Sequence, residues 1–369
     1  MSGPARGGST LSLAPSADPT KPQRTTGTSG RTSAPALRGR RLRVALGLVG
    51  VVLLALVAFA GFLLVKPVDV PRTVGAALPT TSFAEATALF NAVAQREQAG
   101  TLLPAYRSKL ITHGAKMARV IVLFHGYTNC PAMFEMLGEQ LAAEGFNVYI
   151  PLAPAHGEAD REHSSLASLT TEGLIAYGNE SVDIATGLGD EVTVLGLSGG
   201  GAVATYLAQY RDDVDLAIPV APFLGLRAVP GGLTPAVVNL ADLLPSISWG
   251  IPEAMATKSG DYAPYASLDN NSKSAAADMR LGQMVLADAA LHPHRAGRTV
   301  NVINEVDDTV NNGLVDDLTA RWRRLAPDAA TDYHFAASLG LPHDLIGPDR
   351  SDQRTSEVYP VLLDLVGRP

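Results

Sequence analysis

The chain has 369 residues, 29 basic and 36 acidic side chains, and a single cysteine, Cys130. One cysteine excludes an intrachain disulfide, so cysteine pairing says nothing of the compartment. Residues 1–43 carry a net charge of +7 against −7 for the whole chain, which leaves −14 on the remainder, and an acidic main domain argues against nucleic acid as a partner.

Residues 1–40 are rich in Ser, Thr, Pro, Gly and Arg with almost no large apolar side chains. Such a segment cannot bury enough surface to offset its ordering entropy, so residues 1–43 are expected to be a disordered basic tail. Val44 to Val65 then runs for 22 residues without a charge. As a helix it would be about 33 Å long, enough to cross a bilayer. Arg38, Arg40, Arg41 and Arg43 precede it and Lys66 alone follows, which orients the tail to the cytoplasm and the acidic domain to the outside. A cleaved signal peptide is the competing reading. The apolar run is longer than the roughly 7–15 residues of a signal core, and the nearest small-residue site, Val74-Gly75-Ala76, lies well beyond its end. The expectation is therefore an uncleaved, single-pass signal anchor at 44–65, followed by a Pro-containing linker at 66–82.

Phe83 to Ala99 has the apolar spacing of an amphipathic helix, with Ser82 and Glu85 spaced as a capping box. Five apolar runs read as buried strands: Val120–Phe124, Asn147–Pro151, Val192–Leu197, Leu216–Val220 and Val300–Asn304, with Tyr333–Ala336 as a sixth. Helical stretches lie between and after them, at Ala132–Glu144, Thr171–Gly187, Gly200–Tyr210, Leu314–Leu325 and Gln353–Val366. Strands alternating with helices predict an α/β domain over 83–369, with a mostly parallel central sheet covered by helices on both faces. Phe223 to about Asn271 breaks this alternation with five prolines and a series of large apolar residues. An insertion of that length between strands 216–220 and 300–304 is not plain loop; it is read as a cap over the site or, alternatively, a peripheral packing module.

The chemistry is concentrated at Gly196-Leu197-Ser198-Gly199-Gly200, directly after the run Val192–Leu195 and before a helix. Strand, sharp turn and helix hold such a serine in a strained position with its hydroxyl exposed at the sheet edge. A serine nucleophile needs a base, and the base needs an orienting acid. Asn304-Glu305-Val306-Asp307-Asp308 lies in the turn after a predicted strand; Asp307 is the first choice of acid and Asp308 its rival. His343, in Leu341-Pro342-His343-Asp344, follows the last strand and precedes the last helix, at the same sheet end. Two backbone amides would hold a developing oxyanion: that of Gly199, after the nucleophile, and that of Tyr127, in His125-Gly126-Tyr127 after the first buried strand. The Tyr127 ring, and Phe134 from the next helix, are expected to wall the substrate pocket. His125 reads as a loop support and Cys130 as a small packed residue. His292-Pro293-His294 has no third ligand near it to complete a metal site.

From about Ser108 onward the chain resembles the α/β-hydrolase superfamily on its esterase and lipase side. The resemblance rests on His125-Gly126-Tyr127, Gly196-Leu197-Ser198-Gly199-Gly200, Asn304-x-x-Asp307-x-x-Val310, Pro342-His343-Asp344, and the loop Pro154-Ala155-His156-Gly157. It implies a Ser/Asp/His triad, an acyl-enzyme intermediate and no cofactor. One departure is Asn304, where many relatives have glycine before the acid. The leading expectation is a membrane-anchored serine hydrolase acting on acyl or lipid-like esters outside the cytoplasm. An acyltransferase or peptidase using the same triad, and a non-catalytic binding module on the same fold, are the alternatives.

Overall fold

The apolar runs assemble into one central sheet in the computed structural model, which describes residues 34–68, 76–163, 165–259 and 263–368. Most of the predicted tail, part of the linker and part of the Val74-Gly75-Ala76 site lie outside the described residues. Two compact units divide at Leu56: residues up to it, and Val57–Pro369. The long helix α1 (Ala34–Val65) is the one described helix long and apolar enough to cross a membrane. It extends ten residues N-terminal to the predicted apolar span, through the arginine cluster.

In the second unit α2 (Phe83–Gln98) begins as the sequence predicts. Ser82 accepts a hydrogen bond from the Glu85 amide, while the Glu85 carboxylate turns back to the amide and hydroxyl of Thr81. Strands β1 (Lys109–Ile111), β2 (Met117–Phe124), β3 (Asn147–Ile150), β4 (Gly189–Leu197) and β5 (Leu216–Val220) follow, with helices α3 (Glu135–Ala143), α4 (Thr171–Leu188) and α5 (Gly199–Tyr210) between them. The insertion contributes α6 (Thr234–Leu243), the antiparallel pair β6 (Ser248–Gly250) and β7 (Asp269–Asn271), and α7 (Glu253–Ser259). After it come α8 (Ser272–Asp288), β8 (Arg298–Asn304), α9 (Asn312–Leu325), β9 (Ala330–Phe335) and α10 (Thr355–Gly367).

The seven-stranded sheet has the order β1-β3-β2-β4-β5-β8-β9, with β1 antiparallel and every other neighbour parallel. The predicted α/β architecture is therefore present. Strand alternation sends Val120, Val122 and Phe124 to one core with Ile184, Tyr206 and Leu207, and Ile121 and Leu123 to the other with Leu137, Leu141 and Leu362. The sheet is thus buried on both faces, which is why its strands read as continuous apolar runs. Two elements were not anticipated. β1 is three half-buried residues with no apolar run. α8 packs through a mixture of small residues and larger ones such as Leu281, Met284 and Val285, and its Gly282 admits Leu224 so closely that a Cβ would lie 2.9 Å from the Leu224 Cα.

Register sets the site. β2 and β4 run side by side from Val120 opposite Val192 to Phe124 opposite Gly196, so the loop after Phe124 and the turn at Ser198 emerge together. The start of α5 presses on the end of β2: a Cβ at Gly200 would sit 2.1 Å from the Phe124 carbonyl oxygen. Gly200→Ala should therefore cost about 3 kcal/mol or more of folding stability. Gly232→Ala, where nothing lies within 4 Å, should stay within about 0.5 kcal/mol. Denaturant unfolding of the two variants measures the difference.

Candidate active site

Ser198 stands between β4 and α5 with φ 56° and ψ −112°, a strained conformation for a residue with a Cβ. Its backbone is held on both sides. The amide donates to the Val220 carbonyl at 2.9 Å, and the carbonyl accepts from the amides of Ala202 and Phe223. With the backbone fixed, the side chain projects from the C-terminal edge of the sheet.

His343 bridges the serine and the acid. Its Nδ1 lies 2.7 Å from Asp307 Oδ2 and its Nε2 lies 2.9 Å from Ser198 Oγ. A carboxylate can only accept, so Nδ1 carries the proton, and Nε2 is left to accept from the Ser198 hydroxyl. Asp307 has no exposed surface. Burial pushes its carboxyl up, but His343 and the amides of Val310 and Thr309 outweigh this and hold it below the usual carboxylate range. Of the two rival acids, Asp307 is the one brought to His343. Asp308 bonds the Thr309 hydroxyl and lines the adjoining cleft.

The departure at Asn304 has a structural role that the sequence reading missed. Its buried side-chain nitrogen donates to the carbonyls of Leu341 and Pro342, its side-chain oxygen accepts from the Val306 amide, and its backbone carbonyl accepts from the Asp307 amide. One side chain thus joins the acid's turn to the loop carrying His343. Arg227 adds a second tie by donating to the Asp307 carbonyl at 2.7 Å. Neither role has a local sequence signal, because both act across long chain separations.

The Tyr127 amide lies beside the nucleophile's turn: a Cβ built on Gly199 would sit 3.2 Å from it. Neither the Tyr127 nor the Gly199 amide is engaged elsewhere among the described residues. The Tyr127 hydroxyl bonds Asn271 and Ser274 at the start of α8, and burial pushes it up to about 12. His125 supports the loop as expected. Burial and the neighbouring His156 push it down to about 3, and as a neutral ring it donates from Nδ1 to Gly126 and accepts from Ala153 at Nε2. His156, from the Pro154–Gly157 loop, turns Nε2 to the Tyr127 carbonyl. Phe134 is a correction. It is fully buried in the core with Leu137 and Ile150 and does not wall the cleft, because it belongs to the turn that packs α3 onto the sheet.

A cleft of about 580 Å³ opens over Ser198 and His343. Leu197, Phe223, Leu226, Trp249 and Ala275 give it an apolar part, and Asn129, Asp344, Arg350 and Asp352 a polar part. Its volume is that of a small-molecule site. Among the described residues no cluster of three His, Cys, Asp or Glu side chains is placed to hold a metal. His292 faces Asp288, and His294 packs against Trp322.

A family model described as Serine aminopeptidase, S33 matches residues 115–303, half of the chain. The chain belongs to this family of α/β-hydrolases. The chain is 26% identical over 114 residues to a thermostable monoacylglycerol lipase of Bacillus sp. (strain H-257), a match covering 31% of this chain and 44% of that protein. It thus spans less than half the length of that curated relative. Among solved structures, the monoacylglycerol lipase of Paleococcus ferrophilus matches with a TM-score of 0.53 at 18% identity, over 70% of this chain and 97% of that one. A structure from the metagenome-derived lipolytic enzymes LipS and LipT matches with a TM-score of 0.51 at 15% identity, over 72% of this chain and all of that one. These two likenesses establish the fold.

Two outcomes test the electrostatics of the hydrolase. A carboxyl depressed in the folded state stabilises above its unfolded value, near 3.9, and loses that contribution as pH falls through the folded value. Asp307→Asn should therefore be less stable than the wild type at pH 7, with the gap closing toward pH 2 in denaturant unfolding. Cys130 is buried and its thiol is pushed up to about 12. Iodoacetamide at pH 8 should leave it unmodified in the folded protein and alkylate it after unfolding.

Proposed function

We propose that the protein is a serine-dependent ester hydrolase working through an acyl-enzyme, with Ser198, His343 and Asp307 as its triad. The observation that carries this reading is the unbroken hydrogen-bond line from Asp307 through His343 to Ser198, beside two unengaged amides. Ser198 Oγ attacks the ester carbonyl carbon while its proton passes to His343 Nε2. Asp307 keeps the ring in the correct tautomer and stabilises the imidazolium. The carbonyl oxygen becomes an oxyanion received by the Tyr127 and Gly199 amides. Collapse breaks the ester bond, and the leaving alcohol takes the proton from His343. Water then attacks the acyl-enzyme with His343 again as base, which frees the acid and regenerates Ser198.

The substrate class proposed is a carboxylic ester with an apolar acyl group and a polar alcohol, matching the two-sided lining of the cleft. Residues 223–271 act as a cap in this reading, since Trp249, Ala266 and Asn270 from that stretch line the same cleft. The apolar helix supports a signal anchor at 44–65, with the N-terminus in the cytoplasm and the hydrolase domain at 83–369 on the outer side of the cell membrane.

Treating the full chain in detergent with a fluorophosphonate should label Ser198, located by mass spectrometry. Ser198→Ala should abolish both the label and turnover of p-nitrophenyl butyrate, with loss of about 10⁴-fold or more. Asp307→Asn should lose about 10³–10⁴-fold in kcat, and Asp308→Asn less than about tenfold. A folded Ser198→Ala variant with full activity overturns the reading.

A further inference from the structure

The region behind the Tyr127 and Gly199 amides holds a carboxyl with no assigned task. Asp278 projects from α8 and is 1% exposed. Its Oδ2 is buried with no hydrogen-bond partner. Its Oδ1 faces the nucleophile's turn, 3.3 Å from where a Cβ on Gly199 would stand, while the Tyr127 amide approaches the same point at 3.2 Å. A small space of about 10 Å³ adjoins it, lined by His125, Tyr127, His156, Gly199 and Gly200. That is the threshold for one ordered water with polar neighbours. A buried carboxylate without a partner is strongly disfavoured; such a group takes a proton instead.

We propose that Asp278 is a positioning residue for the oxyanion amides, acting as a neutral carboxylic acid that, through one bound water, ties the segments of Gly199 and Tyr127 to helix α8. This rests on the triad reading above, since it assigns a role in supporting that same oxyanion site. The neutral form is a hydrogen-bond donor as well as an acceptor, so it can pass an O–H to the water while Oδ1 stays against Gly199. The ionised form would place a negative charge beside the position where the substrate's own negative charge develops. Activity therefore requires the proton on Asp278.

The surroundings leave Asp278 alone to titrate in the alkaline range. Burial pushes its carboxyl up to about 8. From the loops, Tyr127 is held near 12 and His125 near 3, and burial lowers His156. From α4, burial raises Tyr177, which lines the same space. On the cap side Arg280 of α8 pairs with Asp242 of α6, and Asp269 of β7 acts on Tyr127.

The test is the pH profile of kcat/KM for p-nitrophenyl butyrate with the full chain in detergent. If only the protonated form is active, the wild type should lose about 30-fold between pH 7 and pH 9.5, from a midpoint near 8. Asp278→Asn, which cannot ionise, should lose less than about threefold over the same range, whatever its level at pH 7. Thermal unfolding supplies a second readout. An acid raised in the folded state lowers stability progressively from about pH 4 up to its folded value, so Asp278→Asn should gain melting temperature over the wild type at pH 7 and lose the gain near pH 4. A wild-type profile flat to pH 9.5 overturns the proposal. So does an alkaline limb that persists unchanged in Asp278→Asn, or the absence of a stability gain at pH 7. Ser198→Ala separates the two readings: its inactivity with a persistent limb in Asp278→Asn sinks only the role of Asp278, and full activity in folded Ser198→Ala sinks the triad.

Discussion

The contact on which the site depends is the approach of α5 to the end of β2. Helix and strand meet so tightly that the first turn of α5 has room for hydrogen alone at Gly200 against the Phe124 carbonyl. The contact fixes the helix start and confines Ser198 to its strained dihedrals. It also keeps the loop after Phe124 next to the serine, where a Cβ on Gly126 would lie 3.8 Å from the Ser198 Cβ. A looser junction would relax the serine into an ordinary strand-to-helix turn and separate it from the Tyr127 amide. The strain at Ser198 is thus supported by backbone packing and sheet register together.

The remaining members reach Ser198 from strand ends further along the sheet. β8 delivers Asp307 and the segment after β9 delivers His343, so the two turns have to be held together across 36 residues of chain. Asn304 solves this by hydrogen bonding both ways, toward the acid's turn and toward the Leu341–Pro342 backbone. Asn129 ties the loop after β2 to Asp344, which in turn holds the amides of Ile346 and Gly347. Each tie is buried or partly buried, so losing one partner would leave a desolvated polar group behind. The geometry of Ser198, His343 and Asp307 is therefore held by amide and carboxyl side chains that need touch no substrate themselves.

This division explains what could be read from the sequence. Buried parallel strands are apolar runs, and the nucleophile's turn has a glycine pattern, so six of the sheet's strands and Ser198, Asp307 and His343 were visible in linear order. β1 was not, because an edge strand of three residues, Lys109-Leu110-Ile111, has no periodicity to detect. α8 was hidden for a different reason. Its packing face interleaves Met279, Leu281, Met284 and Val285 with Ser274, Ala276, Ala277, Asp278 and Gly282, and the small and polar residues dilute the apolar pattern a hydrophobic reading looks for. Phe134 misled because an aromatic residue near a site loop carries no mark of which side it faces; the turn before α3 commits it to the core. Asn304 looked like a departure from a family pattern, and its meaning depends on contacts to Leu341 and Pro342 that only folding creates.

The wall behind the Tyr127 and Gly199 amides contains ionisable residues against whose charged forms burial works. His125 is neutral throughout the physiological range, and its two nitrogens are matched to one acceptor and one donor. Burial lowers His156 against the opposing pull of two carbonyls, those of Pro154 and Tyr127, and drives Asp278 toward its acid form. An uncharged surround matters for an oxyanion site. Amide dipoles act on a developing charge most strongly where water is excluded and no fixed charge competes. A cation at His125 would bind the same anion before reaction as well as during it, stabilising ground and transition states together and gaining nothing in turnover. A carboxylate at Asp278 would oppose the anion outright. Under the proposed mechanism, polar groups held neutral in this position would give shape and hydrogen bonding to the loop without imposing a field of their own, and would leave the backbone amides to provide the selectivity for the transition state.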